Sequence, residues 1–149
     1  MVMPTSQPST RSDNAELVRR LFAAYEANDA AQLDELLAPT FTAHGLPPEL
    51  GEGPAAMKAT ASLVHGALAD CRCDIDDLIV DDDRVAVRYT TRARHVGELF
   101  GAAPSGRTVT LSGIEVYRLL DGKIVEYWGE ANMSELFASG AEPAGAAVR

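Results

Sequence analysis

The chain has almost no lysine. Two, Lys58 and Lys123, stand beside eleven arginines and 22 acidic residues, leaving a net charge of −9. With a pI near 4.7, nucleic acid and anionic membrane surfaces are excluded as expected partners, because phosphate would be repelled at most approaches. The arginine-over-lysine skew in an alanine-rich chain reads as the coding bias of a GC-rich bacterial genome and carries no chemistry. No run of about 18 apolar residues is present, so no membrane-spanning helix is expected. The polar start, Met1 to Asp13, has no apolar core behind a basic head. It is not read as a secretory signal, and a cytoplasmic location is expected.

Cysteine is equally scarce. The only two form Cys71-Arg72-Cys73, a spacing that strains a disulfide and has no matching ligand set elsewhere, so reduced packing thiols are expected. Three histidines, His44, His65 and His95, fit no zinc spacing, and no metal is expected. Asp81-Asp82-Asp83 lacks the spacing and glycine of a calcium loop. Gly101 to Gly106 has no following lysine or helix, so it is no phosphate cradle.

What is present is one domain's worth of chain: 149 residues, 46% hydrophobic and 23% charged. Residues 1–12 and 140–149 read as tails around a domain at 13–139. Asp13 to Glu16 looks like a capping-box start, followed by apolar residues at Leu17, Val18, Leu21, Phe22, Ala24 and Tyr25 in helical spacing. A short helix covers about Ala30 to Leu37 and stops at Pro39. Pro54 opens a third helix through Met57, Leu63, Val64 and Leu68.

Beyond Asp70 the period becomes two. Val85, Val87, Tyr89, Thr91, Ala93 and His95 share one strand face. Arg107 to Leu119 is a further strand, Asp121-Gly122 is a hairpin signal, and Lys123 to Glu130 closes the sheet, with a short helix after it. Helices first and strands after give an α+β class: N-terminal helices on a curved antiparallel sheet, bent into a cone with an internal pocket.

Three segments in order, Gly101-x-x-Pro104-x-Gly106-Arg107, Gly113-Ile114-Glu115-Val116-Tyr117-Arg118 and Asp121-Gly122-Lys123-Ile124-Val125-Glu126-Tyr127-Trp128, resemble the SnoaL-like polyketide cyclases. Arg94-His95-Val96-Gly97-x-Leu99 and the stretch from Asn132 to Gly140 resemble that family too. The resemblance implies the α+β cone first named for nuclear transport factor two. It also implies a homodimer, one apolar pocket per chain, and chemistry on a polyketide-like molecule without metal or organic cofactor. Aldol cyclases of the family carry a catalytic aspartate where this chain has Gly129, and a histidine where it has Tyr127. Their pocket glutamine and histidine fall at Gly113 and Glu115.

Glu115 is therefore the leading candidate for acid/base catalysis, on a strand face shared with Gly113 and Tyr117. His44 is the second, as a proton carrier following the second helix. Tyr25, Tyr117 and Tyr127 are candidate donors to a developing oxyanion. Phe22, Met57, Leu63 and Gly129 complete the expected substrate wall. Two other readings stay open: a ligand-binding module without catalysis, and an epoxide hydrolase or cofactor-free hydroxylase, which needs a second inward acid.

Overall fold

The computed structural model describes residues 10–138. Helix α1 (Arg11–Ala27) is followed by α2 (Ala30–Leu36), β1 (Leu37–His44), α3 (Gly53–Ala67) and four strands: β2 (Leu68–Asp81), β3 (Arg84–His95), β4 (Thr108–Leu120) and β5 (Lys123–Asn132). Short 3-10 turns lie at Pro48–Leu50 and Ser134–Phe137. The capping box sits three residues earlier than expected. Thr10 is the N-cap, its hydroxyl accepts from the Asp13 amide, and the Asp13 carboxylate accepts from the Thr10 amide. Thr10, Arg11 and Ser12 thus belong to the cap and first turn of the helix, and the remaining residues assigned to tails, 1–9 and 140–149, lie outside the described chain. Asn28, at φ 54°, ends α1 in the left-handed conformation that a short polar side chain tolerates.

One sheet carries the strands in the order β1-β5-β4-β3-β2. Neighbours among β2, β3, β4 and β5 pair antiparallel, but β1 lies parallel to β5, with His44 beside Trp128. The sheet is therefore mixed rather than wholly antiparallel. The parallel pair needs a long crossover, and α3 with three strands supplies it. The hairpin between β4 and β5 turns on Asp121 and Gly122, both at positive φ (51° and 74°), as a two-residue turn of this hand requires.

Register shifts in β1, twice in β2, and in β5 against β4 bend the strands. The three helices pack into the resulting concavity. Val18, Leu21, Leu33, Leu36, Phe41, Met57, Val85, Val87 and Ile124 form the main core. Each large buried side chain there contributes about 2 kcal/mol by leaving water. A second cluster around Ala93, Leu99, Val109 and Leu136 closes the other end. The loop after β3 is tied to the end of α3, where the Val96 and Gly97 amides donate to the Ala67 carbonyl at 2.9 and 3.0 Å. No described helix is long and apolar enough to cross a membrane.

Candidate active site

Strand alternation and register place the site. Three cross-strand rows face the concavity: Tyr89, Gly113 and Ala131; then Val87, Glu115 and Gly129; then Val85, Tyr117 and Tyr127. Glu115 stands in the middle row. Around it lies a cavity of about 440 Å³, within the range of small-molecule sites. Leu21, Phe22 and Tyr25 of α1 and Met57, Thr60 and Val64 of α3 form its helical side. Leu99 and Phe100, on the loop tied to α3, add apolar surface.

Glu115 is held by phenols. The Tyr117 hydroxyl donates to Oε1, and the Tyr127 hydroxyl lies 3.5 Å from Oε2. Tyr89 is close enough to act on the carboxyl in the same sense. Burial raises the Glu115 pKa above the ordinary 4.5, and the three hydroxyls oppose that rise only in part. The tyrosines respond reciprocally. Tyr25, Tyr89, Tyr117 and Tyr127 are each pushed upward, first by burial and next by the nearby Glu115 charge. All four therefore stay protonated donors across the working range. Phe22 packs edge-on against Tyr89 and Tyr117, with ring centroids 5.6 and 6.3 Å apart, which fixes those rings.

The structure brings together most of the residues expected at the site. Glu115, Tyr25, Phe22, Met57, Tyr117, Tyr127 and Gly129 all line the cavity. Two expected residues do not. Leu63 points outward at 37% exposure, and Val64, one helical step on, takes its place. His44 lies on the opposite face of the sheet, because its parallel pairing sets it beside outward-facing Trp128. Its ring stacks on that indole at 5.1 Å, and Nε2 lies 2.9 Å from Glu126 Oε2. A histidine so placed is a hydrogen-bond partner of Glu126 on the outer face and does not line the cavity.

Tyr89, Cys71, Cys73 and Glu26 were not expected at the site, the cysteines being read as packing thiols, yet all line the wall. Tyr89 alone carried a signal, the alternation Val85, Val87, Tyr89. Both cysteines are free thiols. Burial pushes Cys73 up to about 11 and raises Cys71 as well, so neither is a thiolate near neutral pH. Glu26 Oε2 accepts from the Cys73 amide at 2.6 Å. Among the described residues no cluster of three or more metal-ligating side chains occurs.

Comparison with known proteins agrees with this architecture. The chain is 30% identical over 123 residues to aklanonic acid methyl ester cyclase DauD of Streptomyces sp. (strain C5), covering 78% of this chain and 74% of that one. TsrD from Streptomyces laurentii superposes with a TM-score of 0.78 at 28% identity, covering 85% of this chain and 93% of TsrD. AclR, a proposed hydroxylase from Streptomyces galilaeus, superposes at 0.74 with 27% identity, covering 90% and 89%. The model of the SnoaL-like polyketide cyclases matches residues 15–139. With that match running through all three helices and all five strands, the chain belongs to the SnoaL-like polyketide cyclase family.

Proposed function

We infer that the protein is an enzyme that closes a ring in, or isomerises, a polyketide-like small molecule with its own side chains and no cofactor. One observation carries the reading: a carboxyl of raised pKa, clasped by phenol hydroxyls, in the wall of a largely apolar cavity. Glu115 removes a proton from a carbon next to a carbonyl. Once protonated, it no longer needs all its donors, and a tyrosine hydroxyl turns to the enolate oxygen that forms. After the carbon–carbon bond closes, the proton passes back to the new alkoxide, so the product is an isomer of the substrate. Helices and loop hold the chain of the substrate folded for that closure. A homodimer and a cytoplasmic setting belong to the same reading, and light scattering on the purified chain tests the former.

The experiment is turnover with aklanonic acid methyl ester, the compound in the name of the cyclase DauD, as first probe. Wild type is expected to yield a product of unchanged mass, and Glu115→Gln is expected to yield none. A ligand bound by both proteins and returned unaltered would establish a binding module instead.

A hydroxylase reading, like that proposed for AclR, is favoured by two carboxylates in the wall besides Glu115, namely Glu130 and, beside the cysteines, Glu26. One of its oxygens is already engaged by the Cys73 amide, which leaves it less free to hold water. A product heavier by one oxygen would select this reading over ring closure.

A further inference from the structure

Two glycines on the inner face of the sheet have no turn to make. Gly113 lies in the middle of β4 and Gly129 in β5, and neither appears among the residues of positive φ. Conformational freedom is therefore not what they provide. Space is. A Cβ on Gly113 would lie 2.5 Å from the Tyr89 hydroxyl and 2.7 Å from its ring carbon Cζ. A Cβ on Gly129 would lie 2.1 Å from the Tyr127 hydroxyl and 2.6 Å from its Cζ. Each tyrosine lies across its glycine: Tyr89 from the facing position on β3, Tyr127 from two residues earlier on β5. The Tyr127 ring so leans into the row that holds Glu115, and the Tyr89 ring leans onto β4, the strand that carries Glu115.

We propose that Gly113 and Gly129 are positioning residues: each is a seat, empty of side chain, that lets a tyrosine ring lie down and bring its hydroxyl to Glu115. The inference rests on the assignment of Glu115 as the proton-transfer group and explains how this chain equips it. A side chain of any size at 113 or 129 forces the ring up into the cavity, which removes a donor and narrows the space for substrate. The groups that face Glu115 are Tyr25 from α1, Cys73 from β2, Tyr89 from β3, Tyr117 from β4 and Tyr127 from β5, and Glu26, Cys71 and Glu130 are the other titratable groups of the same wall. Its α3 neighbours across the cavity, Met57, Thr60 and Val64, do not titrate. None of these groups is a cation, so hydroxyls are what stabilises the carboxylate, and two of the three are seated on glycine.

The test needs no substrate. Carbon-13 NMR of the glutamate carboxyls in the full chain, with Glu115→Gln for assignment, follows the Glu115 titration midpoint. Tyr127→Phe removes the hydroxyl but keeps the ring on its seat, and it is expected to raise the midpoint. Gly129→Ala is expected to raise it by the same amount, and the double variant by no more than either alone. Tyr89→Phe and Gly113→Ala should behave as a second such pair, coupled to the first because both rings act on the one carboxyl.

If Gly129→Ala folds poorly, thermal melts on a Tyr127→Ala background decide instead. With the ring gone, the same glycine substitution should be nearly neutral. A penalty undiminished by removing the ring overturns the proposal, and so does a Glu115 midpoint unmoved by Tyr127→Phe. A protein that passes these tests yet converts no substrate retains its seats and loses only the cyclase reading.

Discussion

Glu115 and Glu126 lie on adjacent strands of one hairpin and face opposite sides of the same sheet. Their acidities move in opposite directions. Inside, Glu115 meets only phenols, thiol and apolar groups, and burial raises its pKa. Outside, Glu126 meets His44 and then Arg118, each at 2.9 Å, and its pKa falls. The Arg118 that serves Glu126 sits three residues beyond Glu115 on β4, on the face Glu115 does not share. Acid strength here is set by the side of the sheet, and a one-residue slip in β5 would turn Glu126 inward and carry Tyr127 away from Glu115. The inner carboxyl is held ready to take a proton. The outer one is held charged.

The largest break in that contrast is Glu115→Gln, with turnover expected to fall by about 10²–10⁴-fold, the usual share of a general acid–base group. Glu126→Gln, assayed beside it, should stay within about twofold of wild type. Next in size is Tyr117→Phe, which deletes the donor to Glu115 Oε1. A roughly tenfold fall in kcat/KM is expected for one hydrogen bond to a charged group.

Stability against pH sharpens the comparison without any substrate. The folded chain keeps a proton on Glu115 that the unfolded chain releases near pH 4.5. Stability from this group therefore declines as pH rises from there through the raised folded midpoint. Glu115→Gln should melt higher than wild type at pH 7, and the gap should close below about pH 4.5. Glu126 runs the other way. Its contribution is complete above the ordinary carboxylate range and is lost as pH falls through its lowered midpoint. Glu126→Gln should melt lower at pH 7 and converge with wild type in acid. Thermal melts at pH 7 and 4 read both. The smallest effect is expected from His44→Ala, which should leave kcat unchanged in the same assay because the ring lies across the sheet from the cavity.

How far these features were legible in the sequence follows from the range of the interaction behind each. Helix spacing in α1, the Asp121-Gly122 turn and the alternation along β3 and β4 are local, and they put Glu115 and Tyr117 on one strand face, while only the family resemblance implied that this face turns inward. Strand β1 looks extended in the sequence only over the brief stretch from Phe41 to His44. Pro39 lies within it, and its partner β5 is some eighty residues away, so nothing local announces the pairing. The misplacement of His44 follows directly, since only that pairing fixes which way the strand faces. Leu63 failed for a different reason. One residue on a helix is about 100° of rotation, enough to carry a side chain from the cavity wall to solvent. The glycine seats were illegible, because Gly113 and Tyr89 become neighbours only once the register of β3 on β4 is known.

The single tryptophan of the chain adds something to this division. Trp128 is stacked between the His44 ring and the Arg84 guanidinium, which sits 5.2 Å from the indole centroid. All four tyrosines of the chain, by contrast, line the cavity. The molecule thus carries two separate optical reporters on the two surfaces of one sheet. Indole emission follows whatever meets the outer face, while phenol absorbance follows Glu115 and whatever enters the cavity. A ligand that shifts the second signal and leaves the first still has entered the cone without disturbing its outer wall.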